Sequence, residues 1–68
     1  MRNINREVGL NIRKIRRERG LSQEKLAGLA DVHRAYVGQI ERGEKNIGLI
    51  NLEKIAKALE VRPRDLLP

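Results

Sequence analysis

The sequence contains no cysteine, tryptophan or phenylalanine, and Tyr36 is its only aromatic residue. Without cysteine, neither a disulfide nor a thiolate-bound metal is available to stabilise the fold. Because large aromatic rings are nearly missing, the core must be built from leucine, isoleucine, valine and alanine. The chain has 68 residues, which is near the lower size at which a chain folds alone. We therefore expect one domain, residues 1–68, whose single core a partner subunit can extend.

Long apolar runs are also missing. No segment approaches the ~20 apolar residues of a membrane span, and charged residues interrupt the N-terminal region where a signal peptide would need an apolar stretch. We therefore expect a cytoplasmic protein that does not enter a membrane. The only two prolines, Pro63 and Pro68, lie near the C-terminal end, so proline interrupts none of the preceding segments.

Positive charge, in contrast, is abundant. Fifteen lysines and arginines stand against nine acidic residues, which gives a formal net charge of +6. A surplus of this size on a small domain favours a polyanionic partner. Nucleic acid is the first candidate and an anionic membrane surface is the second, while a solvated basic surface is the ordinary alternative.

Apolar residues recur at helical spacing, and no long alternation indicates a strand. Val8, Ile12 and Ile15 share one face of a first helix that Gly20 ends, and Ser22 is a typical N-cap for a second helix. We predict a compact all-α fold of five helices at about 5–19, 23–30, 34–42, 49–59 and 63–67. The predicted core is Val8, Ile12, Ile15, Leu21, Leu26, Ala27, Ala30, Val32, Val37, Ile40, Leu52, Ile55, Leu59 and Leu66, with Leu29 expected to join the inner face of the second helix.

The stretch from Gln23 to Arg42 contains two short helices that only a minimal turn separates. Ala27 lies in the helix at 23–30, and its small side chain allows the helix at 34–42 to approach closely. Val37 and Ile40 anchor the helix at 34–42 on the helix at 23–30. Such a crossed pair is typical of the helix-turn-helix motif, whose second helix projects and enters the major groove of DNA.

The runs Leu-Ser-Gln-Glu-Lys-Leu-Ala (21–27) and Tyr-Val-Gly-Gln-Ile-Glu-Arg-Gly (36–43), with Val32 between them, resemble the phage lambda-repressor-like helix-turn-helix family. Residues 51–59 and 62–67 are similar to the fourth helix and the closing turn of that family. The resemblance thus spans about Val8 to Leu67. Within the family, Asn-Ile-Gly-Leu-Ile-Asn-Leu (46–52) looks most like the controller proteins of restriction–modification systems.

Two positions depart from the family pattern. Asp31 stands in the turn where the family usually has glycine, and this position commonly adopts a positive φ, which aspartate tolerates better than most residues. His33 stands where the family often has a serine or threonine N-cap, so the third helix is expected to begin with a weaker cap.

The resemblance implies that Arg34, Ala35 and Gln39 read bases from an exposed face that also includes Gly38. The chemistry agrees, because arginine bridges guanine O6 and N7, glutamine bridges adenine N6 and N7, and alanine contacts a thymine methyl. For Arg34, contact with a phosphate or with solvent is the alternative. The residues expected to contact phosphates are Gln23, His33, Tyr36, Arg42, Lys45 and Asn46.

These phosphate contacts have ordinary alternatives as well. Gln23 lies in the first turn of the second helix, where backbone amides favour an anion. The alternative for Lys45 and Asn46 is that they belong to an ordinary polar loop without a DNA contact. The alternative for Tyr36 is that its ring packs on the surface of its own helix. His33 has no cysteine near it, so we predict no metal site and consider instead a phosphate contact that strengthens at low pH.

By the same resemblance, Arg16 and Glu41 are expected to form a structural salt bridge between the first and third helices. The apolar residues least needed for the core are Leu49, Ile50, Leu67 and Leu10. The first three lie toward the C-terminal half, where the dimer contacts of the family tend to be, so we expect Leu49, Ile50 and Leu67 at a homodimer interface. The alternative is that Ile50 and Leu67 extend the core.

These observations favour a sequence-specific regulator of transcription that binds a double-stranded DNA operator of two-fold symmetry as a homodimer. Repression by covering a promoter and activation through RNA polymerase contact both stay open. An antitoxin or other protein-interaction module that binds DNA secondarily is the alternative, although an antitoxin usually adds a toxin-binding extension. No nucleophile–base pair, carboxylate pair or phosphate-binding glycine loop is evident, so we predict neither an enzyme nor a cofactor.

Overall fold

The computed structural model describes residues 2–68, which form four α-helices and one short 3₁₀ helix. The helices are α1 (Ile4–Glu18), α2 (Gln23–Ala30), α3 (Arg34–Glu41) and α4 (Leu49–Leu59), and the 3₁₀ helix is Pro63–Leu66. The all-α prediction is confirmed for these residues. None of the helices within them combines the length and the apolar character needed to cross a membrane.

The fifth predicted helix is wrong as a regular helix, since it is a single 3₁₀ element that ends at Leu66. Leu67 has an extended backbone with φ −87° and ψ 151°. Its successor is Pro68, and a residue before proline is sterically disfavoured in the helical conformation. The chain therefore leaves the helix one residue before the predicted end.

Polar side chains determine where α1 and α2 begin. The Asn3 side chain accepts a hydrogen bond from the backbone N–H of Arg6 at 3.1 Å, so α1 starts one residue before its predicted boundary. The Ser22 hydroxyl accepts the backbone N–H of Lys25 at 3.0 Å, which is the predicted cap of α2. Both contacts satisfy amides that have no partner within their helix.

The turn between α2 and α3 has the predicted left-handed residue. Asp31 has φ 57° and ψ 50°, and the N–H of Val32 then donates to the carbonyl of Ala27 at 3.0 Å. The neighbouring His33 makes no side-chain capping bond, which agrees with its expected weakness as an N-cap. The turn therefore reverses the chain within a few residues and directs α3 across α2.

All four α-helices and the 3₁₀ helix contribute to one aliphatic core. Three residues that were predicted in the core are only partly buried, and Ala56, which was not predicted, is a buried member of it. Leu29 is 53% exposed, so its expected inward position is wrong. The buried face of α2 is formed by Leu26, Ala27 and Ala30, and Leu29 is rotated by about 100° from its centre. The partly buried members are Ile15, Leu21 and Val32.

Helices α1 and α3 approach each other through their backbones at Gly9. A Cβ atom at this position would overlap the carbonyl oxygen of Ile40 and would lie 2.8 Å from the carbonyl oxygen of Glu41. Gly9 is itself buried. The absence of a side chain here therefore lets α1 support the C-terminal end of α3 directly.

Candidate nucleic-acid interface

The outer face of α3 borders a shallow cleft against the start of α2. Its lining contains the three residues predicted to read bases together with two of the residues predicted to contact phosphates and a glycine. Arg34 and Ala35 are exposed, whereas Gln39 is partly buried. The lining residues are Gln23, Arg34, Ala35, Gly38, Gln39 and Arg42.

Gly38 lies at the floor of this cleft and is buried, so its predicted exposure is wrong. An added Cβ would lie 3.1 Å from a terminal nitrogen of the Arg42 guanidinium and 3.7 Å from the amide oxygen of Gln23. The two long side chains fold over the glycine and cover it.

A hydrogen-bonded network of three side chains lies behind the cleft. Arg16 on α1 donates from Nε and Nη2 to the two carboxylate oxygens of Glu41 on α3, at 2.6 and 3.1 Å. The amide nitrogen of Gln23 donates to the same carboxylate at 3.1 Å. The side chains of Arg16 and Glu41 are only 10% and 3% exposed, so the pair connects α1, α2 and α3 where water is largely excluded.

Gln23 therefore has a partner that the sequence reasoning did not identify. Its amide nitrogen is engaged with Glu41 inside the domain, while its amide oxygen faces Gly38 at the cleft. Arg16 also donates to the carbonyl of Leu21 at 2.7 Å, which fixes the chain just before α2. The position of Gln23 at the cleft thus depends on the buried ion pair.

Arg42 is paired with an acidic residue at the surface. Its guanidinium donates to both oxygens of Glu44, at 2.6 and 3.2 Å, and the two side chains are 59% and 52% exposed. The hydrogen bond from Arg42 lowers the pKa of the Glu44 carboxyl below its ordinary value, and the same bond raises the pKa of Arg42. The residue expected to meet a phosphate thus has an anionic partner already in place.

The remaining predicted phosphate contacts are spread around α3. His33 precedes the helix and is exposed, as are Lys45 and Asn46 in the loop that follows it. Tyr36 lies outside the cleft and is partly buried against the core. Its hydroxyl oxygen accepts a hydrogen bond from the side-chain nitrogen of Asn51 at 3.0 Å.

Two arginines that the sequence reasoning did not single out lie beside Gln23. Arg13 and Arg17 are exposed on α1 and line a second shallow cleft with Gln23 and Arg42, above the buried pair. Their spacing of four residues places them on one helix face, and this was the available signal. Which neighbour that face meets depends on how α1 crosses α3, and helical spacing does not specify the crossing.

The residues expected at a dimer interface are all exposed. Leu49 is 84% and Ile50 is 74% exposed at the start of α4, and Leu67 is 47% exposed. The alternative that Ile50 and Leu67 extend the core of one subunit is therefore wrong. Leu49 and Ile50 are adjacent in the sequence, and exposed aliphatic residues that lie together commonly mark an interaction surface.

The part of the chain that the structure describes contains no group of three or more histidine, cysteine or acidic residues placed to hold a metal ion. Every buried side-chain nitrogen or oxygen in residues 2–68 has a hydrogen-bond partner. The polar groups of the interior are therefore satisfied within the protein.

Known proteins resemble this chain over most of its length. A family model described as helix-turn-helix matches residues 12–66. The control protein C.BamHI of Bacillus amyloliquefaciens is 52% identical over 66 residues, which are 96% of this chain and 82% of that protein. This similarity includes both helices that border the cleft.

Solved structures show the same arrangement. The restriction–modification controller protein C.AhdI from Aeromonas hydrophila has a TM-score of 0.91 and 44% identity, over 93% of this chain and 96% of its own. The hypothetical transcription factor NHTF from Neisseria also reaches 0.91, at 40% identity, over 96% of this chain and 75% of its own. The resemblance to controller proteins that residues 46–52 predict is thereby confirmed.

Proposed function

This chain belongs to the helix-turn-helix family, and we propose that it is a transcriptional regulator that binds double-stranded DNA sequence-specifically as a homodimer. We further infer that it is the controller protein of a restriction–modification system, as the proteins it resembles are named. The observation that carries the proposal is the outer cleft of α3, where Arg34, Ala35 and Gln39 lie together.

Helix α3 suits base reading in the major groove. It is a regular α-helix of eight residues, and an α-helix with its side chains is about 10–12 Å across, which the major groove, about 12 Å wide, admits. Arg34 and Ala35 in its first turn are exposed, and residues at this end of a recognition helix meet base edges. The buried pair of Arg16 and Glu41 holds the opposite end of α3, so the helix enters as a rigid element.

Cationic and polar side chains near α3 suit the sugar–phosphate backbones. Arg13 and Arg17 lie beside Gln23. Lys45 and Asn46 are exposed in the loop after the helix. Such contacts position a protein on the duplex without reading its sequence, so we assign these residues to affinity and orientation.

The exposed apolar surface at Leu49 and Ile50 supports the dimer. Both residues open α4, directly after the loop that follows α3, and Leu67 adds a third exposed aliphatic side chain near the C-terminus. A two-fold contact between equivalent surfaces would place two copies of α3 on successive half-sites. Joining two modules raises the effective affinity well above that of either module alone.

Selection of duplexes from a random pool, followed by fluorescence titration in a salt series, tests this function. We expect a two-fold symmetric site with half-sites about one helical turn apart and an affinity that falls steeply with salt. Weak, unselective binding that modest salt abolishes would contradict the proposal and favour an interaction module. As a check on base reading, Arg34→Ala is expected to relax the preference at one position of each half-site, by about tenfold or more.

A further inference from the structure

Tyr36 on α3 and Asn51 on α4 are joined by a side-chain hydrogen bond across 15 positions of sequence. The amide nitrogen of Asn51 donates to the hydroxyl oxygen of Tyr36 at 3.0 Å. Both residues are partly buried, and the tyrosine ring packs against the aliphatic core. The ring is therefore fixed by packing and its oxygen by Asn51.

This contact determines what the hydroxyl group still offers. A phenol has one proton to donate and an oxygen that accepts, whereas an amide nitrogen only donates. Because the Asn51 nitrogen donates to the phenol oxygen, the phenol proton must point elsewhere. The hydroxyl group is thus left with its proton free to donate to a group other than Asn51.

We propose that Asn51 is a positioning residue for DNA recognition, because it directs the Tyr36 hydroxyl proton toward an acceptor oxygen or nitrogen on the duplex. The proposal rests on the DNA-binding function proposed above. On a DNA duplex, the acceptor can be a phosphate oxygen or an acceptor atom on the edge of a base. Asn51 directly follows Ile50 in α4, so the same helix carries the proposed dimer surface and the group that orients Tyr36.

The free protein allows a first test that needs no DNA. Tyr36 is the only aromatic residue, so the tyrosine doublet in the Raman spectrum reports this hydroxyl group alone. The intensity ratio of the doublet is high when the phenol oxygen accepts and low when the hydroxyl group donates strongly. In Asn51→Asp, the new carboxylate only accepts, so the hydroxyl proton turns inward and the ratio is expected to fall.

The second test measures affinity for the operator selected by the unaltered protein. Tyr36→Phe and Asn51→Asp are each expected to weaken binding by about tenfold or more, since each removes one hydrogen bond from both subunits of the dimer. The double variant is expected to bind about as weakly as either single variant, because both changes remove the same donor. Asn51→Leu, which leaves the hydroxyl free to rotate, is expected to weaken binding less than Asn51→Asp.

The comparison of the two single variants with the double variant also controls for the negative charge that Asn51→Asp adds. If Asn51→Asp weakens binding equally with and without Tyr36→Phe, the effect comes from charge or altered folding, and the proposal is overturned. Unchanged operator affinity in Asn51→Asp, or an unchanged Raman ratio, overturns it as well. Thermal unfolding of each variant shows whether the domain remains folded.

Two further outcomes identify the source of the acceptor and separate this proposal from the proposed function. If Tyr36→Phe weakens all duplexes equally, the acceptor is a phosphate, and if the effect is confined to one base pair, the acceptor is a base edge. If the unaltered chain selects no operator, the proposed function fails. In that case the Raman ratio still determines whether Asn51 directs the hydroxyl group.

Discussion

Arg16 and Glu41 form two hydrogen bonds, of 2.6 and 3.1 Å, that join α1 to the last residue of α3. The guanidinium and the carboxylate form a bidentate pair, a geometry that lysine would not reproduce. Since Gln23 donates to the same carboxylate, the pair also affects the start of α2. We expect it to control the orientation of the DNA-binding helices more than the total stability of the domain.

Glu41→Ala is expected to destabilise the domain by about 3–5 kcal/mol, because it leaves the Arg16 guanidinium buried without a counterion. Chemical denaturation measures this change in the free energy of unfolding. The double variant Arg16→Met with Glu41→Leu replaces the pair by apolar groups and is expected to recover most of the stability. If Glu41→Ala changed neither unfolding nor DNA binding, the assigned role of the pair would be refuted.

Gly9→Ala is expected to destabilise the domain by about 1–3 kcal/mol, because the added methyl group overlaps the carbonyl oxygen of Ile40. Gly28→Ala is the matched control. Gly28 lies within α2 with no atom within 4 Å of an added Cβ, so the change is expected to stabilise the domain by about 0.5–1 kcal/mol. Thermal unfolding of the two variants should give opposite shifts, and equal shifts would argue against the close approach of α1 and α3.

Arg17→Gln is expected to weaken binding to all duplexes and to reduce the slope of log affinity against log salt by about one for each phosphate that the protein no longer neutralises. The reason is the position of Arg17 beside Gln23. Arg64→Gln removes the same charge from the 3₁₀ helix, which packs against α4 and α1. A slope that changes equally in both variants would show that only net charge matters.

Glu44→Gln is expected to strengthen DNA binding by about twofold, because it frees the exposed Arg42 from a surface pair of modest strength. Glu53→Gln on α4 removes the same charge at an exposed position away from Arg42 and serves as the control. A gain of the same size in both variants would assign the effect to net charge.

The pair of Arg42 and Glu44 is also expected to make the stability of the fold decrease as the pH falls into the acid range. The hydrogen bond from Arg42 lowers the pKa of Glu44 in the folded chain. The pair therefore stabilises the fold above the ordinary carboxyl pKa, and this contribution disappears as the pH falls through the lowered value. In acid titrations of unfolding, Glu44→Gln is expected to flatten this part of the curve, and an unaltered curve would show that the pair adds nothing.

Ile50→Asp is expected to shift the protein from dimer to monomer, because a charge at a residue that is 74% exposed disrupts an apolar contact while leaving the core intact. Sedimentation velocity over a range of concentrations measures the change, and operator affinity should fall with it. Leu29→Asp, at a leucine that is 53% exposed on α2, is the control and should stay dimeric. A dimer that survives Ile50→Asp would place the interface elsewhere.

Local patterns in the sequence were sufficient to predict most of the helices. The predicted bounds of α2 and α4 agree with the structure, because capping residues and apolar spacing act within a few residues along the chain. The left-handed conformation of Asp31 was predicted from the resemblance instead, because the family usually has glycine at this position. The last helix ends one residue before its predicted end, because Pro68 disfavours the helical conformation at Leu67.

The contacts of the candidate site were less accessible from sequence. Those between Tyr36 and Asn51, and between Gln23 and Glu41, join residues on different helices. They depend on crossing angles that apolar periodicity leaves open. Gly38 was predicted exposed because its position on α3 faces outward, yet the long side chain of Arg42 covers it. Such coverage depends on rotamers and on the loop after α3.

The contact at Gly9 also bears on how such a protein diverges. At this point backbone atoms, rather than interlocking side chains, set the separation of α1 and α3. Exchanges of one aliphatic core residue for another of similar volume are well tolerated. Core residues can therefore be exchanged while the Gly9 contact keeps α3 in place. If Arg34 and Gln39 read bases as proposed, changes at these two residues would alter the operator preference without altering the scaffold.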